Sequence, residues 1–137
     1  MNETDVTFAG DGEPMLDQGG RRLSTREEAA LHRILSAEPS ARQFLDELPQ
    51  LRVAARASCC PSIAFATGGP TREQPHGTLV EQLVAEAGWE ERADVEDLIF
   101  SRGDQLSSME YVHYDADTDV SNAEFPPADE LQPRSRH

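Results

Sequence analysis

Val95-Glu96-Asp97-Leu98-Ile99-Phe100-Ser101-Arg102-Gly103-Asp104-Gln105-Leu106-Ser107-Ser108-Met109-Glu110-Tyr111-Val112-His113-Tyr114 is the stretch that decides the fold class of this chain. Val95 and the Leu98-Ile99-Phe100 run favour a strand, and Arg102-Gly103-Asp104 supplies a turn. Met109, Tyr111 and His113 then alternate with Glu110, Val112 and Tyr114, the two-residue period of a partner strand. A β-hairpin over about 95–114 follows, and the rest of the chain must supply strands beside it and a cover for its apolar face.

Upstream, Leu51, Val53 and Ala55 alternate with Arg52, Ala54 and Arg56, which reads as another strand with one face in water. Cys59-Cys60-Pro61 marks a turn, Ile63 and Phe65 continue as a strand, and Gly68-Gly69-Pro70 opens a polar loop to Gly77. Residues 78–87 satisfy two readings. Thr78 with Glu81 is a capping box, Leu79, Val80, Leu83, Val84 and Ala87 have helical spacing, and Gly88 stands where a helix would end. Tertiary pairing can override such a local preference and make the segment a strand.

The cover comes from the N-terminal third. Ser24 and Glu27 form a capping box ahead of Leu31, Ile34 and Leu35 on one helical face, ending near Ala37. A second helix is expected from Ser40, with Gln43 in the reciprocal position and Ala41, Phe44, Leu45 and Leu48 apolar, until Pro49 stops it. Residues 1–20 carry Gly10, Gly12, Pro14, Gly19 and Gly20 with five acids and read as a disordered acidic arm. Residues 116–137, with Pro126, Pro127 and Pro133, read as a loosely ordered tail on which Phe125 and Leu131 can dock back. The expected architecture is therefore a single α+β domain over 21–115. In it two short N-terminal helices pack on a small, mainly antiparallel sheet of four to five strands, flanked by disordered acidic tails.

Charge narrows the function classes. The 137 residues carry a net charge of −14, of which residues 1–20, 21–114 and 115–137 hold −5, −5 and −4. Nucleic-acid binding is disfavoured because phosphate contact requires a basic surface, whereas a basic protein partner suits this charge. All twelve basic residues are arginine, which removes Schiff-base chemistry, a P-loop lysine and any lysine nucleophile. No apolar run approaches the roughly 18 residues of a membrane span, and no signal-peptide pattern opens the chain, so no membrane association and a cytoplasmic location are expected.

Cys59 and Cys60 are adjacent, with Cα atoms about 3.8 Å apart, below the roughly 4.4–6.8 Å of an ordinary disulfide. Neighbouring side chains on an extended backbone point in opposite directions, and spaced Cys-x-x-Cys pairs are lacking, so no metal site is assigned to them. Cys60 remains the candidate reactive thiol, with His76 or His113 as the base it would need. Asp115, Asp117 and Asp119 alternate like a calcium loop, but Val120 replaces its turn glycine and Pro126 its bidentate glutamate. No catalytic, cofactor-binding or metal-binding residue is therefore assigned. Glu90, Glu91, Asp94, Glu96 and Asp97 form an acidic cluster beside Trp89, the single tryptophan, and these six residues are the candidate partner-binding surface.

Leu48-Pro49-Gln50-Leu51-Arg52-Val53, Cys60-Pro61-Ser62-Ile63, Leu98-Ile99-Phe100, Leu106-Ser107-Ser108-Met109-Glu110 and Tyr114-Asp115 carry a resemblance to a family of small actinobacterial proteins. That family combines a helical N-terminus, a Cys-x-Cys-Gly-Cys-Pro-[Ser/Thr]-hydrophobic element and a hairpin ending in an acidic turn. The resemblance spans roughly 22–115, implies a strand up to Gly88, and implies no activity. Ala57 and Ser58-Cys59 stand where the family has further cysteines. The expected function is a non-enzymatic interaction protein whose acidic surface binds a basic partner, with a toxin-neutralising immunity protein as its most concrete form. The alternative is a thiol-based redox or metal-binding protein using Cys59 and Cys60.

Overall fold

The computed structural model describes residues 14–66, 81–114 and 119–134, with side chains from Gly20 onward. In chain order these form β1 (Pro14–Arg22), α1 (Thr25–Ala37), a 3-10 helix (Pro39–Gln50), β2 (Arg52–Ala57), β3 (Ile63–Ala66) and β4 (Glu81–Trp89). β5 (Arg92–Arg102), β6 (Gln105–His113), a 3-10 turn (Ala128–Glu130) and β7 (Leu131–Arg134) follow. Among the described residues the strands make one seven-stranded sheet, ordered β1-β2-β3-β6-β5-β4-β7, with every neighbouring pair antiparallel.

The hairpin is its centre. β5 alternates strictly, with Val95, Asp97, Ile99 and Ser101 buried, and β6 places Met109 opposite Ile99 and Tyr111 opposite Asp97. Gly103, at φ 68°, takes the left-handed position of the turn that an L side chain resists. Helix α1 begins with the capping box of Ser24 and Glu27, and Arg21 grips the same Glu27 carboxylate through both oxygens at 2.9 Å. Its Ala30, Leu31, Ile34 and Leu35 are fully buried against β4 and β7.

The expected two helices on four to five strands are corrected to a larger sheet. Residues 14–20, read as part of a disordered arm, belong to edge strand β1, paired with β2 from Pro14 opposite Ala57 to Arg22 opposite Arg52. An edge strand needs main-chain partners on one side only, so a polar, glycine-rich segment can fill it. Gly20, at φ 73°, sits in the register shift between Leu16 and Arg21, where a Cβ would also press Arg52 at 3.2 Å. The other edge is β7, drawn from the expected tail. Residues 1–13 of the arm and 135–137 of the tail lie outside the described residues.

The second helix is 3-10 rather than α. Pro39 opens it and Pro49 lies inside it, and Glu38 rather than Ser40 is its N-terminal cap. Its three-residue repeat aligns the buried Ala41 and Phe44 with Glu47, whose Oε1 accepts the Leu106 N–H at 3.1 Å. The ambiguous segment is a strand from Glu81 onward. β4 is paired on both sides, by β5 and β7, and Ala85 and Ala87 are small enough for α1 to close over them.

Candidate functional site

The turn joining β4 to β5 and the 3-10 turn preceding β7 meet at one end of the sheet. Trp89 lies opposite Leu131, and the Glu90 N–H donates to the Glu130 carbonyl at 3.1 Å. This pairing brings Glu130, about forty residues away in sequence, beside Glu90 and Glu91, with the exposed Asp129 preceding it in the chain. Trp89 is half-buried, and its indole Nε1 donates to Glu130 Oε1 at 2.7 Å. The Glu91 carboxyl is held above its ordinary value by a hydrogen bond shared with Glu130, by the charge of Glu130 and by that of Glu90. Among the described residues no arginine or histidine pairs with Glu90, Glu91, Asp129 or Glu130. A cleft of about 470 Å³ opens beside this tip, lined by Trp89, Arg92, Tyr111 and Phe125 among others.

The acidic cluster read from sequence therefore divides. Glu90 and Glu91 are exposed at the tip. Asp94 is held below its ordinary value by the hydrogen bond and charge of Arg92, whose Nη2 lies 2.7 Å from Oδ2, with His113 Nε2 at 3.1 Å adding to it. Glu96 is taken up by Arg134 and by the Tyr114 hydroxyl, which donates at 2.7 Å. Asp97 leaves the surface altogether. It is 0% exposed on the helix-covered face, neither oxygen has a hydrogen-bond partner, and burial pushes its pKa well up. The tip thus keeps Trp89, Glu90 and Glu91 and gains Asp129 and Glu130. No sequence signal announces those two, because only the long-range β4–β7 pairing brings them there.

Cys59 is exposed and Cys60 buried, in the loop between β2 and β3 that the Ala57 N–H closes onto the Ser62 carbonyl at 2.9 Å. The backbone bends here, so the expectation of opposed side chains is corrected: the two sulfurs lie 3.5 Å apart. Cys60 Sγ also lies 3.2 Å from Ser62 Oγ. His113 turns to Arg92 and Asp94, and His76 lies outside the described residues. Of the calcium-like run, residues 115–118 also lie outside, and Asp119 Oδ1 accepts the Ser121 N–H at 2.9 Å, which lowers its pKa.

Among the described residues no three His, Cys, Asp or Glu side chains converge as metal ligands, and no helix is long and apolar enough to cross a membrane. No family model, no curated protein and no solved structure matches this chain.

Proposed function

We propose that the protein is a non-enzymatic interaction module whose acidic tip captures a basic protein partner. The observation that carries this reading is the crowding of Glu91 against Glu130, with the charge of Glu90 acting on the same carboxyl and no salt bridge from these three to a described arginine or histidine. Like charges held together in this way repel, and an incoming arginine or lysine relieves the repulsion while the field of the cluster speeds its approach. The half-buried Trp89 supplies the apolar contact that affinity requires, since charges at a rim tune encounter more than residence. Asp94, Glu96 and Asp97 have no part in this surface, because two are neutralised by arginines and one is buried. A neutraliser of a basic toxin is the most concrete form of such a module, and a reducing compartment such as the cytoplasm suits its two reduced thiols.

The test is a titration of the protein with an arginine-rich peptide, followed by backbone amide NMR shifts. The largest shifts should map to 89–92 and 129–131 and shrink in the Glu90→Gln/Glu91→Gln double variant. Shifts spread evenly over the acidic surface, or unchanged in the variant, would remove the tip from the function.

A further inference from the structure

The β2–β3 loop holds a second site, independent of the acidic tip. Its two sulfurs are 3.5 Å apart, one exposed and the other buried, and the buried one rests 3.2 Å from Ser62 Oγ. Ser62 in turn extends the seam between β3 and β6, the short ladder in which Ile63 faces Met109 and Ala64 faces Ser108. Its hydroxyl oxygen accepts the Tyr111 N–H at 2.8 Å. The hydroxyl proton lies within reach of either the Tyr111 carbonyl, at 3.4 Å, or Cys60 Sγ.

We infer that Cys59 and Cys60 are a thiol–disulfide exchange site, with Cys59 as the attacking and Cys60 as the resolving sulfur. Their co-substrate is a low-molecular-weight disulfide of the glutathione class. In the first step the Cys59 thiolate attacks one sulfur of R–S–S–R; that bond breaks, R–S⁻ leaves, and it takes up the proton Cys59 released to solvent. In the second, Cys60 attacks Cys59 Sγ, the mixed disulfide breaks, and the second R–S⁻ leaves with the proton from Cys60. The dithiol loses two electrons and two protons, and the small disulfide becomes two thiols. The division of labour follows exposure, since only Cys59 can meet a solute while Cys60 waits at contact distance. The Ser62 hydroxyl lies close enough to donate to the Cys60 sulfur as it becomes a thiolate.

The product is an eight-membered ring across adjacent residues. With Cα atoms held near 3.8 Å the ring is strained, so thiols reopen it readily, which suits a reversible site and no structural crosslink. Closing it also requires the 59–60 peptide to turn, only two residues from the hydroxyl that holds Tyr111. Oxidation should therefore loosen the β3–β6 seam.

The full-length protein should be incubated with glutathione disulfide, quenched in acid, alkylated with N-ethylmaleimide and mapped by peptide mass spectrometry. Wild type should lose both alkylation sites to an intramolecular Cys59–Cys60 disulfide and recover them with dithiothreitol. Cys60→Ser should accumulate a stable glutathione adduct on Cys59, whereas Cys59→Ser should leave Cys60 unmodified. By hydrogen exchange, the Tyr111 amide should lose about tenfold of its protection in the oxidised protein, as the loss of one hydrogen bond implies. A persistent glutathione adduct on wild type, disulfide-linked dimers, or two thiols still alkylated would overturn the exchange site. A closed ring with unchanged Tyr111 protection would overturn its link to the seam.

Discussion

Asp97 occupies the middle of the covered face, between Val95 and Ile99, with Ala87 and Tyr111 opposite it on the flanking strands. A carboxylate there has no cation and no hydrogen bond to offset its lost hydration, so the protonated form is the one the fold accepts. The sign of the linkage follows. Above the ordinary aspartate value the unfolded chain ionises freely while the folded protein still holds its proton, so stability falls as pH rises, until the folded group itself ionises. Asp97→Asn removes this slope. Urea unfolding at pH 5 and pH 8 should show the variant gaining on wild type as pH increases, and a constant difference would mean that Asp97 has a partner in solution. From sequence, Asp97 looked like one more surface acid, because a single carboxylate among Glu96, Leu98 and Glu90 carries no mark of the face it will occupy.

At the scale of elements, the segment from Asp119 to Arg134 is a strap that completes the core. Phe125 is buried, meets the Tyr111 ring edge-on at 6.2 Å, and accepts Arg26 Nε on its carbonyl at 2.8 Å. Phe125→Ala should cost about 3–5 kcal/mol, read as a melting temperature lower by roughly 10–17 °C for a domain of this size. A fall of a degree or two would show the strap to be loose. Helix α1 supplies the complementary pH test at its N-terminus. Burial pushes the Glu27 carboxyl up, but hydrogen bonds from Arg21 and the Ser24 N–H, with the charge of Arg21, outweigh it and leave the pKa lowered. Its contribution is therefore complete above the ordinary glutamate range and disappears as pH falls through the lowered value. Glu27→Gln should unfold more easily at pH 7 and match wild type once acid has protonated the wild-type Glu27 carboxyl, as acid titration of the helical circular dichroism would reveal. Elements with a local cause, such as the Ser24–Glu27 box and the 95–114 hairpin, were legible in the sequence. β1 and β7 were not, because an edge strand borrows its order from the main chain of its neighbour, and no residue of its own announces that. The proline-bracketed helix was visible as a helix but not as 3-10, since its apolar residues fit a repeat of three and one of 3.6 alike.

For the whole molecule, the ends of the described chain become the edges of one sheet, and the acidic tip exists only because β7 returns to β4. Charge total alone does not locate that tip: Arg134 neutralises Glu96 and approaches Glu86, and Arg92 neutralises Asp94, so of the acids next to Trp89 in sequence Glu90 and Glu91 are the ones left exposed without a salt bridge among the described residues. The sequence made Trp89, Glu90 and Glu91 legible as candidates, but it assigned equal weight to three acids that the fold pairs or buries. Steering of a basic partner by the tip is read from the association rate of an arginine-rich peptide, followed by stopped flow at low and high salt. Wild type should associate faster at low salt, and the Glu90→Gln/Glu91→Gln variant should lose most of that salt dependence while its dissociation rate changes little. Equal salt dependence in the two proteins would show that the tip does not steer its partner and would assign its charge to solubility alone.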